Sequence, residues 1–148
     1  MNRIQKTERR LLLMSERILG AKLPSVLALA YLGDACYSLY VRDMLVRGGL
    51  SKTKELNLSS LEFVTCQRQA LMYEKIKPHL SEEEALLARR AFNSTHLNPP
   101  KKAKIKDYRS ATAFEAVIGM LYYVKDEKRL GELLSVAHRE EDENDTEN

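Results

Sequence analysis

From Ala28 to Leu45 the chain reads ALAYLGDACYSLYVRDML, and the single acid in its apolar part, Asp34, decides how the rest is read. On a helix Asp34 shares its face with Leu27, Ala30, Tyr31, Tyr37 and Val41, all apolar or aromatic. Taking an ionised carboxylate out of water without a partner costs roughly several kcal/mol, so Asp34 is not expected to be a solvated surface charge. Pro24 and Ser25 open this helix and Gly48 and Gly49 close it after Arg47. It is apolar on nearly every side up to Arg42 and is expected at the centre of the domain.

The same anomaly recurs in ATAFEAVIGMLYY, residues 111–123, where Glu115 lies on a stripe with Ala111, Thr112, Ile118 and Tyr122. Two readings compete. In one, each acid pairs with an arginine such as Arg109 or Arg42, or Asp34 caps a helix kinked at Gly33. In the other, two acids converging in one small core repel each other and share a cation. Oxygen donors suit Mg²⁺ or Mn²⁺, with water completing the octahedron. Such an ion activates water and binds a phosphate oxygen, which points to phosphodiester hydrolysis.

The remaining chain reads as helices. Asn2 to Leu19 is amphipathic, Ser59 or Ser60 starts a third helix to Ile76, and Ser81 with Glu84 forms a capping box for a fourth through Ala91. Ser51 to Leu56 is read as a short basic connection, and Asn93 to Asp107, with two adjacent prolines, as an exposed loop. Tyr108–Tyr123 and Glu127–His138 complete an all-α set. The domain organisation is read as a variable helix over 1–22, a catalytic unit over 23–138 and an acidic disordered tail over 139–148. The tail takes six of the 21 acids and one of the 24 bases, so residues 1–138 carry +8, and a polyanionic partner is expected. Cys36 and Cys66 lack any CxxC or Cys/His spacing and read as reduced, buried thiols. The apolar run Leu23–Val41 is interrupted by Pro24 and Asp34, and the charged start has no signal-peptide core. A soluble, cytoplasmic protein with no membrane partner is expected.

LGDACYSLYV resembles the signature helix of the ribonuclease III catalytic domain, and YRSATAFEAVIGMLYY resembles its second acidic motif. The likeness covers about Leu27 to Leu134, with both motifs in order, and is nearest to the short branch, Mini-ribonuclease III, which has the catalytic domain alone. It implies an all-helical homodimer that uses Mg²⁺, with Mn²⁺ able to substitute, to hydrolyse double-stranded RNA. The products are 5′-phosphate and 3′-hydroxyl ends, and the family's role is trimming ribosomal RNA precursors. Asp34 and Glu115 occupy the positions of catalytic, metal-holding acids. Leu27, Ala30 and Thr112 stand where full-length members have further acids, and Phe92 where relatives often have a basic residue before the asparagine matching Asn93.

PPKKAKIKDYR places Lys101, Lys102, Lys104, Lys106 and Arg109 directly before the Glu115 helix, the best candidates for gripping RNA. Arg89, Arg90, Lys52 and Lys54 are candidates at other helix ends. His79, His96 and His138 are scattered and pair with no Ser or Cys nucleophile, and the tyrosines read as core or dimer packing. The missing acids motivate an alternative: a non-catalytic ribonuclease III-like RNA-binding or ribosome-assembly module. A third reading is a helical protein–protein adaptor whose acids form only ion pairs.

Overall fold

The structure, a computed structural model, describes residues 1–19, 23–94 and 104–139, with the backbone alone over 14–19. Among these residues all regular structure is helical: α1 Arg3–Leu19, α2 Val26–Arg47, α3 Thr53–Val64, α4 Cys66–Ile76, a 3₁₀ turn Lys77–His79, α5 Glu82–Phe92, α6 Ile105–Tyr123 and α7 Glu127–Ala137. Among the described residues no helix is long and apolar enough to cross a membrane.

The two apolar helices, α2 and α6, cross at the centre. Leu29, Tyr37 and Val41 of α2 meet Phe114, Val117, Ile118 and Leu121 of α6, all buried. The Tyr37 and Phe114 rings meet edge to face, 5.1 Å between centroids, which fixes the rotation of one helix against the other. Around this pair α4 adds Met72 and Ile76, α5 adds Leu87, Ala88 and Ala91, and α7 adds Leu133, Leu134 and Ala137.

Local chemistry sets the ends. The Ala28 N–H donates to Ser25 Oγ at the start of α2, and Gly49 takes φ +99° after its last turn, a value that favours glycine. The capping box forms as read: the Glu84 N–H donates to Ser81 Oγ, and the Ser81 N–H to a Glu84 carboxylate oxygen. Glu84 is buried, and Arg129 of α7 closes on it at 2.8 Å while also donating to the His79 carbonyl. Helix α1 lies on α5 through Arg3–Glu82, Arg10–Glu83 and Arg90–Glu8 ion pairs around buried Leu11 and Thr7.

Three expectations are corrected. The single third helix is two, because Thr65 adopts an extended conformation (ψ 151°) and its side chain accepts from the Arg68 N–H to start α4. The basic connection is largely helix, since α3 begins at Thr53 with Lys52 as its N-cap residue. The cysteines are free, as expected, but each is only partly buried.

Candidate active site

Two glycines bring the stranded acids together. A Cβ placed on Gly33 would lie 1.8 Å from the Glu115 carbonyl oxygen, and one on Gly119 would lie 1.8 Å from that of Leu29. Only glycine lets the α2 and α6 backbones approach this closely, and Asp34 follows Gly33 while Glu115 precedes Gly119 by one turn. Asp34 lies within hydrogen-bonding reach of the Glu115 carboxyl. Burial pushes that carboxyl up to about 8, and the Asp34 charge and hydrogen bond push it the same way.

The arginine reading finds no support: among the described residues neither Arg42 nor Arg109 forms an ion pair with Asp34 or Glu115. Nor does Asp34 cap a kink, since α2 runs unbroken through Gly33. The expected burial of Asp34 is corrected as well. It is exposed in the single chain, because its neighbour Tyr31 (85% exposed) and the outward-facing Leu39 form a face that this chain does not cover.

Cys66 reads from the sequence only as a reduced thiol, and Asp107 as part of a loop. Burial raises the Cys66 thiol, and the nearby charges of Asp107 and Glu115 raise it further. The signal available was spacing, as Asp107, Ala111 and Glu115 recur at every fourth residue on one face of α6. Thr112, at a family acid position, donates its hydroxyl to the Tyr108 carbonyl, and Ala30 is buried.

Asp34 and Glu115 offer two hard oxygen donors suited to a divalent ion, while no group of three or more His, Cys, Asp or Glu side chains able to hold a metal occurs among the described residues. The remaining positions of an octahedral ion would fall to water and substrate. Mutual repulsion at Glu115 is the property a cation relieves, so the pair fits the group.

The basic candidates are dispersed. Lys52 and Lys54 are exposed at the start of α3, Lys104 and Lys106 at the start of α6, and Arg109 is half-buried. Arg90 is engaged by Glu8 of α1. Arg89 and Lys106 meet on one cleft of about 340 Å³. Lys101 and Lys102 lie outside the described residues.

A helical domain with one carboxylate on each of two crossing central helices defines the ribonuclease III class of fold, and a family model described as Ribonuclease III domain matches residues 27–126. The chain is 41% identical over 115 residues to the Mini-ribonuclease 3 of Brevibacillus brevis, covering 78% of this chain and 86% of the relative. It is 37% identical to that of Symbiobacterium thermophilum, covering 75% and 85%. A crystal structure of a Fusobacterium nucleatum protein superposes with a TM-score of 0.70 at 33% identity, over 77% of this chain and 93% of that one. The chain belongs to the ribonuclease III family of double-strand-specific endoribonucleases, in its Mini-ribonuclease 3 group.

Proposed function

We propose that this protein is a Mg²⁺-dependent endoribonuclease, with Mn²⁺ able to substitute, that hydrolyses double-stranded RNA to 5′-phosphate and 3′-hydroxyl ends. Its catalytic residues are Asp34 and Glu115, its catalytic unit spans 23–138, and its substrate is precursor ribosomal RNA in the cytoplasm. The observation that carries the reading is the Glu115 carboxyl raised to about 8 beside Asp34. A carboxylate pair held at this cost without an arginine is poised for a cation.

Asp34 and Glu115 would hold the ion. When bound, it supplies Lewis-acid polarisation of the scissile phosphate and a water acidic enough to attack it. The chain's own part is positioning. The Gly33–Gly119 approach fixes the separation of the two carboxyls, and the Tyr37–Phe114 contact locks the helices that carry them. Lys104 and Lys106, exposed at the start of the Glu115 helix, are set to meet backbone phosphates. A homodimer is supported by the outward apolar residues Tyr31, Leu39, Leu58 and Leu61, the last three each more than half exposed in the single chain.

The test is cleavage of a long RNA duplex with and without Mg²⁺ by wild type, Asp34→Asn and Glu115→Gln. Each variant removes a ligand charge without changing shape and is expected to lose cleavage while staying folded. Cleavage by either variant at about a tenth of the wild-type rate or more sinks the assignment, since losing a metal ligand costs several kcal/mol of transition-state stabilisation. Wild-type binding of the duplex without cleavage in Mg²⁺ would instead favour the non-catalytic module, a reading motivated by Ala30 and Thr112 at positions where the resemblance implies acids.

A further inference from the structure

The cleft between α4, α5 and the start of α6 is walled by Tyr73, Glu74, Lys77, Arg89, Phe92 and Lys106, among others. Three cations face one acid, so the cleft suits an anion. At about 340 Å³ it lies at the lower end of small-ligand sites. Its two aromatic residues differ. Tyr73 is buried and carries Lys77 Nζ over its ring, 5.7 Å from the centroid. Phe92 is half-buried, and among the described residues it has neither a ring partner nor a cation over its face. A half-buried aromatic ring on the wall of a cleft rimmed by lysine and arginine matches one nucleotide: a base to stack and a phosphate to neutralise.

We propose that this cleft receives one unpaired nucleotide of the RNA, its base on Phe92 and its phosphate among Lys77, Arg89 and Lys106. The inference rests on the RNA-cleaving reading above and names a feature of its substrate: an unpaired nucleotide held away from the cut. A paired base is stacked within the helix and cannot reach a side-chain ring, whereas an unpaired one swings out onto aromatic groups. Lys106 precedes Glu115 by nine residues on the same helix, about 14 Å along its axis and half a turn round it, so the cleft lies on the opposite face of α6 from Glu115. Glu74, the acid on the wall, is suited to accept a hydrogen bond from an exocyclic amine of the base.

The experiment uses the full chain without divalent ions, so that no cutting occurs, and two RNA duplexes identical except for one unpaired 2-aminopurine. The quantity read is the ratio of affinities, bulged over perfect, in which general phosphate contacts cancel. Wild type is expected to favour the bulged duplex by about fivefold or more, the low end for one base–aromatic stack, with quenching of the 2-aminopurine fluorescence. Phe92→Ala and Lys77→Ala should each bring the ratio towards one, and Phe92→Trp should keep it, which separates stacking from damage to the fold. A wild-type ratio of one, or a ratio that survives Phe92→Ala, overturns the proposal. So does micromolar binding of AMP together with a ratio of one, which puts a free nucleotide in the cleft. Cleavage of the perfect duplex in Mg²⁺, followed in parallel, reports the nuclease reading separately. A preserved ratio without cleavage removes that reading and leaves the cleft, and cleavage with a ratio of one does the reverse.

Discussion

Gly33 and Gly119 face each other across the α2–α6 crossing so closely that a Cβ on either would come within 2.9 Å of the other's backbone or nearer. The obstacle is main chain and cannot rotate away. Gly33→Ala is therefore expected to part the two helices and destabilise the fold by about 3 kcal/mol, the top of the usual range for overpacked cores. Because the same approach sets the Asp34–Glu115 spacing, cleavage should fall further than the loss of folded protein explains. Denaturant unfolding and duplex cleavage measured together check both.

Glu115 makes stability depend on pH in an unusual sense. Its folded carboxyl titrates at about 8, against an ordinary 4.5, because of burial and Asp34. The folded state then holds the proton more tightly than the unfolded one, so this contribution is full below about 4.5 and is lost as pH rises through about 8. In EDTA the melting temperature should fall across that window, and Glu115→Gln should flatten the fall. Adding Mg²⁺ should restore wild type and do little for the variant.

Glu84 has the opposite sign. Burial alone would raise its carboxyl, but the Arg129 and Ser81 hydrogen bonds and the Arg129 charge outweigh it and hold it below the usual range. Its contribution is present above the ordinary carboxylate range and disappears as pH falls through the folded value. Arg129→Met should cost about 3 kcal/mol, since it strands a buried charge, and Glu84→Gln with Arg129→Met should recover part of that. Urea unfolding of the three variants at neutral pH decides it.

Leu39 and Leu61 are 67% and 58% exposed in the single chain, on the outer faces of α2 and α3. Leu39→Glu should leave the subunit helical by circular dichroism and shift sedimentation from dimer to monomer. If the proposed dimer sets one site against each strand, the monomer should lose staggered double-strand cleavage. A monomeric wild type that still makes such cuts contradicts the arrangement.

Lys101 and Lys104 precede the Glu115 helix and are expected to neutralise RNA phosphates. Replacing both with alanine should weaken binding and lower the slope of log affinity against log salt by roughly one to two, using the B-DNA value of about 0.9 per contact. Cleavage at saturating RNA should change much less. An unchanged slope would assign the grip to Arg89, Arg90, Lys52 or Lys54.

Much of this was legible because the informative residues announce themselves by spacing. Ser81 and Glu84 marked the α5 cap, Gly48 and Gly49 the end of α2, and the two acids in apolar helices the pair that α2 and α6 bring together. The break at Thr65 was not legible: FVTCQRQA keeps its helical period through the break, and threonine caps a helix without interrupting that pattern as proline would. The exposure of Asp34 was missed for a different reason. Periodicity tells which residues share a face but not whether the covering surface comes from the same chain. The influence of the Glu115 charge on Cys66 crosses between separate helices, which no spacing within α4 encodes.

Helix α3 contributes no buried residue to the single subunit, and the extended Thr65 uncouples its backbone from α4. Its hydrogen bonds are therefore among those that open at low cost, through local fluctuation well below global unfolding. Under the proposed dimer the partner closes over Leu58 and Leu61, and amide protection in α3 becomes a function of protein concentration. Exchange along residues 53–64 would then act as a local gauge of assembly, moving under dilution while the α2–α6 core stays protected.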